Sequence, residues 1–236
     1  MKNLIIASTS TIYGSNYLEY ILKDVDLLFK SVKELIFIPY ARPSGITYTG
    51  YTAIVKNALT QIDIEVKGIH EFDNPKDALK IAQGVFVGGG NTFLLVNQLY
   101  EQGLMNILKD RIESGMPYLG TSAGSNICGP TMQTTNDMPI VQPPSFRTMG
   151  VIPFNINAHY LDSNLTSRHK GETRETRIRE YHFFNDIAVL GLREGSWLEV
   201  KNNRIVLKGL LQAKWFVKNK KPEELEPLID LSSKFS

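Results

Sequence analysis

Short, almost uninterrupted apolar runs recur through the first half of the chain, separated by longer amphipathic stretches. The runs are "LIIAS" (4–8), "ELIFIPY" (34–40), "IEVKGI" (64–69), "GVFVGG" (84–89) and "PYLGTS" (117–122). A strand with one wet face alternates apolar and polar residues. These runs do not alternate, so they predict strands buried on both faces, as in a parallel sheet covered by helices. The intervening stretches 16–32, 52–62, 74–83 and 93–115 carry apolar residues at helical spacing, and Asn74-Pro75 supplies a helix start. This βαβα order predicts the α/β class: a doubly wound, mostly parallel sheet with helices on both faces.

The second half is less regular. It predicts strands over 155–160 and 187–192, a charged helix over 171–184, and a hairpin over 196–209 turning at Asn202-Asn203. A further strand is expected at 213–219. No linker or repeat divides the chain, so residues 1–236 are expected to form one domain, with the tail from Pro222 loosely attached.

Composition narrows function mainly by exclusion. The 26 basic and 24 acidic residues leave a formal charge of +2, which calls for neither nucleic acid nor an anionic membrane surface. The single cysteine, Cys128, excludes an internal disulfide and a cysteine-rich metal site, and its expected role is packing. No run approaches the roughly 20 apolar residues of a membrane span, and the N-terminal apolar run is too short for a signal peptide. A cytoplasmic location is expected.

Two small-residue turns remain. In "GVFVGGGNTF" (84–93) a buried strand runs into Gly88-Gly89-Gly90 and a helix opening at Asn91-Thr92. Glycines there bring backbone N–H groups close to an anion, although the spacing matches neither a dinucleotide fingerprint nor a Walker loop. In "YLGTSAGSN" (118–126) Ser122 follows an apolar strand and precedes helix-compatible small residues, which is the pattern of a nucleophile elbow. The N–H of Ala123 and one from Gly89 or Gly90 are the natural oxyanion donors.

A serine nucleophile needs a base. Of His70, His159, His169 and His182, only His159 ends an apolar stretch, "VIPFNINAHY", and so belongs at a strand's carboxyl end, where open sheets gather their sites. The other three are expected in surface loop or solvated helix. Two carboxylates compete to orient His159: Asp137 in the polar loop "TTNDMPIV" and Glu194 in "GLREGSWL". Spacing does not choose between them, and Arg193 stands beside Glu194 as a possible competing cation.

These residues fall within a series of ordered motifs: "GGGNTF" (88–93), "GTSAGSN" (120–126), "TTNDMPIV" (134–141), "PPSF" (143–146), "NINAHYLD" (155–162), "HKGETRETRIREY" (169–181) and "GLREGSWL" (191–198). In this combination the chain resembles the peptidase E family of aspartyl dipeptidases, which has a class I glutamine-amidotransferase-like fold. It departs at Ala158 and Arg193, where many members carry proline. The resemblance implies Ser122 as nucleophile, His159 as base, Glu194 or Asp137 as third member with Glu194 preferred, and Arg174 and Asn91 as substrate-binding residues. The implied substrates are dipeptides with an N-terminal aspartate, cleaved without a metal or organic cofactor by a monomer or homodimer. The rival expectations are hydrolysis of another aspartyl bond, as in cyanophycinase-like enzymes, and non-catalytic anion binding.

Overall fold

The computed structural model describes residues 1–163 and 171–235. Its main sheet has seven strands, in the order β3-β2-β4-β5-β1-β8-β9. They are β1 (Asn3–Ala7), β2 (Glu34–Ile38), β3 (Glu65–Gly68), β4 (Gly84–Val87), β5 (Tyr118–Thr121), β8 (Ser196–Lys201) and β9 (Arg204–Gly209). The first five pair in parallel; β8 and β9 add an antiparallel edge beside β1. Asn202 makes the left-handed residue of the hairpin turn at φ 57°, a conformation asparagine tolerates.

The helices connecting the parallel strands divide the core into two layers. Above one face, α1 (Leu22–Leu28) and α2 (Tyr48–Ala58) cover Ile5, Leu35, Phe37, Phe86 and Leu119. Above the other, α3 (Pro75–Ile81), α4 (Thr92–Glu101) and α5 (Met105–Glu113) cover Leu4, Ile6, Val85, Val87 and Tyr118. Alternate residues of one strand thus face opposite helical layers, which is why the runs carry no polar face. Asn74 caps α3 by accepting from the N–H groups of Lys76 and Asp77. The predicted helix over 93–115 is two helices, because Gly103 takes φ +64° and breaks the run between α4 and α5.

A second sheet, in the order β11-β10-β7-β6, was not expected. It is built from β6 (Asn155–Ala158), β7 (Val189–Leu192), β10 (Ala213–Phe216) and β11 (Glu223–Leu225). It packs into the same apolar layer as α4 and α5 through Ile156, Leu190, Leu192 and Trp215. The segment beyond Pro222 is therefore attached, not loose: β11 pairs with β10, and Leu225 and Leu231 are fully buried. The charged helix is α7 (Arg174–Phe184), capped by Thr173 accepting from the Thr176 N–H. Among the described residues no helix is long and apolar enough to cross a membrane.

Candidate active site

β5 ends at Thr121, and α6 (Ala123–Asn126) begins two residues later, a shorter helix than the sequence suggests. Ser122 alone makes the bend, at φ 54° and ψ −110°. A non-glycine residue there is strained by about 1–3 kcal/mol, so the surroundings must hold it. They do so through Ala7, whose carbonyl oxygen accepts the Ser122 N–H at 3.2 Å and the Ser125 hydroxyl at 2.6 Å. The nearby glycines serve close backbone approach. A Cβ on Gly124 would collide with the Val87 carbonyl oxygen, and one on Gly89 would lie 2.9 Å from the Ser122 Cβ. Only the second of these borders the hydroxyl itself.

His159 follows β6 and also takes a left-handed conformation, φ 55°. Its Nε2 lies 2.8 Å from the Ser122 Oγ, and its Nδ1 lies 2.6 Å from the Glu194 Oε1. With the proton on Nδ1 directed at Glu194, Nε2 is left to accept from the serine hydroxyl. Both the His159 and Glu194 side chains are partly open to solvent, at 36% and 49%. Their pairing therefore owes more to orientation than to charge in a low dielectric. Arg193 turns away from Glu194, donating to Asp162 and Glu224 and to the Gln212 carbonyl oxygen.

Asp137 is not beside His159. Its Oδ2 accepts the Thr92 N–H at 2.7 Å and the Thr135 hydroxyl at 2.9 Å, placing its charge at the N-terminus of α4. Asn126 joins the same network, donating to the hydroxyls of Thr92 and Thr135. Asn91 is committed to structure: its Oδ1 caps Leu94 and its Nδ2 donates to the Met138 carbonyl oxygen. Arg174 opens α7, and its guanidinium has no hydrogen bond or ion pair among the described residues. Burial and the neighbouring Arg177 lower its pKa, and the charge of Asp137 opposes them.

The expected oxyanion donors separate. The Gly89 N–H donates to the Tyr51 hydroxyl at 3.0 Å, so it is already engaged. The N–H groups of Gly90 and Ala123 have no partner among the described residues. Of the other histidines, His182 is buried and bonded to the Ile187 carbonyl oxygen rather than solvated, and His169 lies outside the described residues. Cys128 is fully buried, and that burial pushes its thiol well above the ordinary range. Among the described residues no group of His, Cys, Asp and Glu is arranged to hold a metal ion.

One residue of this machinery went unrecognised in the sequence. The fully buried Ser8, just past β1, accepts the His159 N–H and donates to the Leu192 carbonyl oxygen. Nothing in "LIIASTSTIYG" distinguishes it from its neighbouring hydroxyls.

Residues 4–208 match the model of peptidase family S51. The chain belongs to that family. It is 49% identical over 230 residues to "Peptidase E" of Streptomyces coelicolor, covering 98% of this chain and 93% of that protein. It is 43% identical over 234 residues to the "Probable alpha-aspartyl dipeptidase" of Drosophila melanogaster, covering 98% and 96%. Its fold matches the crystal structure of a peptidase from an acI-B1 Actinobacterium with a TM-score of 0.73 at 15% identity, covering 98% of this chain and 96% of the other.

Proposed function

We propose that this peptidase hydrolyses dipeptides with an N-terminal aspartate through an aspartyl ester on Ser122. The observation that carries this reading is the continuous chain Ser122–His159–Glu194, with contacts of 2.8 and 2.6 Å, beside two unpaired backbone donors. The names of the relatives supply the substrate class.

The Ser122 hydroxyl attacks the aspartyl carbonyl carbon while its proton passes to His159 Nε2. The N–H groups of Ala123 and Gly90 receive the oxyanion; one such donor contributes about 3 kcal/mol at the transition state. His159 then returns the proton to the leaving amine, and the C–N bond breaks. Water, giving its proton to His159, attacks the ester, and collapse restores the Ser122 hydroxyl and releases aspartate. Glu194 holds the imidazole in the tautomer that both halves need. Arg174, whose guanidinium has no partner among the described residues, takes the aspartate side chain as a guanidinium–carboxylate pair. Asp137, whose charge favours the charged form of the same guanidinium, offers its remaining oxygen to the substrate ammonium.

A panel of Asp-Leu, Glu-Leu, Asn-Leu and isoaspartyl-leucine tests the assignment. Asp-Leu is expected to exceed every other member in kcat/KM, with no turnover by Ser122→Ala. Faster cleavage of the isoaspartyl bond would replace the proposed substrate class.

A further inference from the structure

An Asp-X dipeptide carries two carboxylates at neutral pH, and the site assigned above provides for only one of them. Most described arginines are committed within the protein: Arg111 to a carbonyl oxygen, and Arg177, Arg179, Arg193 and Arg204 to carboxylates. The guanidinium groups of Arg174, Arg147 and Arg42 make no hydrogen bond or ion pair among the described residues.

Arg42 is exposed but held. Its guanidinium carbon lies 5.0 Å from the centroid of the Tyr51 ring, which is itself buried. The hydroxyl of that tyrosine accepts the Gly89 N–H, and Gly89 in turn abuts the Ser122 side chain. The residue before Arg42 is tied to the same turn, since the Ala41 carbonyl oxygen accepts the Asn91 N–H at 2.7 Å. Arg42 is thus mounted on the loop after β2, which is hydrogen-bonded through Ala41 to the neighbouring loop that presents the Gly90 donor. It also lines a cavity of about 420 Å³, together with Ser10, Thr11, Tyr17, Tyr51 and Ile54. The segments leaving β1 and β2 wall this cavity. Tyr51 belongs to the apolar layer on one face of the sheet, whereas the α4 N-terminus that Asp137 binds stands over the other.

We propose that this cavity receives the residue after aspartate and that Arg42 binds its C-terminal carboxylate. This rests on the dipeptidase reading and extends it. With Arg174 on the side of Asp137 and the α4 N-terminus, and Arg42 on the side of Tyr51 and Gly89, each carboxylate of Asp-X meets one guanidinium in this proposal, and the scissile carbonyl lies between them. An aromatic ring beneath a guanidinium orients its plane and leaves its N–H edge free, which suits a carboxylate better than a mobile lysine would. The chemistry selects a free dipeptide acid over an amide or a longer peptide, whose carboxylate is absent or displaced.

The test compares Asp-Leu with Asp-leucinamide, which differ only in that carboxylate, in the wild type, Arg42→Met and Arg42→Lys. The wild type is expected to prefer the acid by about tenfold or more in kcat/KM. In Arg42→Met that ratio should collapse towards one, mainly through a higher KM for Asp-Leu, and Arg42→Lys should recover part of it. A wild type that cleaves both equally, or an Arg42→Met variant that keeps the preference, overturns the Arg42 assignment and leaves the dipeptidase standing. A wild type that cleaves neither overturns the dipeptidase reading, and this proposal with it.

Discussion

The Ser8 hydroxyl accepts the His159 N–H at 2.9 Å and donates to the Leu192 carbonyl oxygen at 2.7 Å. Ala7, one residue earlier, accepts the Ser122 N–H. Two adjacent residues at the end of β1 therefore set the height of Ser122, His159 and, two residues past Leu192, Glu194. Ser8→Ala removes this join and leaves the part-buried His159 N–H without its acceptor, while the Leu192 carbonyl oxygen keeps the Tyr160 N–H; the expected cost is about 1–3 kcal/mol of stability. The expected kinetic signature is a kcat for Asp-Leu reduced about tenfold to a hundredfold with KM nearly unchanged, because geometry at the reacting atoms is lost and binding is not. A Ser8→Ala protein with a normal melting curve and a wild-type kcat would remove the positioning role.

The two acidic candidates should separate kinetically. Glu194→Gln keeps the size of the side chain but no longer fixes the imidazole tautomer, and a kcat loss of about a hundredfold or more is expected. Asp137→Asn keeps an oxygen for the α4 N-terminus while removing the charge that faces Arg174. Its expected effect is a raised KM with kcat within about tenfold of wild type. The reverse pattern in steady-state kinetics would make Asp137 the acid that matters for chemistry.

Arg174→Met tests recognition of the aspartate side chain. The Arg174 guanidinium makes no ion pair among the described residues, so thermal stability should be unaffected. The kcat/KM for Asp-Leu should fall about tenfold to a hundredfold, while the weak turnover of Asn-Leu, which carries no side-chain charge, should change little. Equal losses on the two substrates would argue for a general disturbance of the pocket.

Stability should fall on mild acidification. Burial lowers the pKa values of His182 and His70 below their ordinary 6.5, so the folded state binds fewer protons there than the unfolded chain. Stability then rises with pH through that region and is lost as pH falls below about 6.5, when the unfolded histidines protonate first. The melting temperature is expected to drop between pH 7.5 and 5.5, with a shallower slope in His182→Gln. An unchanged slope in that variant would assign the effect elsewhere.

The parallel half of the fold was legible because each strand is buried on both faces and each connection is local and amphipathic. Ser122 and His159 were legible because small residues around a serine and a histidine at an apolar run's end are unusual local patterns. The second sheet was not. Its strands β10 and β11 join β6 and β7 across long sequence separations, and pairing of that kind leaves no periodic mark. Spacing left Asp137 and Glu194 both open for the same reason, since which loop crosses His159 is a matter of position in space; the preference for Glu194 rested on its place just after a strand. The glycine triplet shows a further limit: it reads as three equivalent donors, and only tertiary partners distinguish them, the Ile38 carbonyl oxygen taking the Gly88 N–H and the Tyr51 hydroxyl, 38 residues away, taking that of Gly89.

The most direct test is mass-spectrometric mapping of a fluorophosphonate adduct alongside Asp-Leu hydrolysis. A single adduct on the peptide containing Ser122, formed in step with loss of activity and strongly slowed in His159→Ala, is expected. An adduct on another residue, or full inactivation without modification of Ser122, would contradict the acyl-enzyme account.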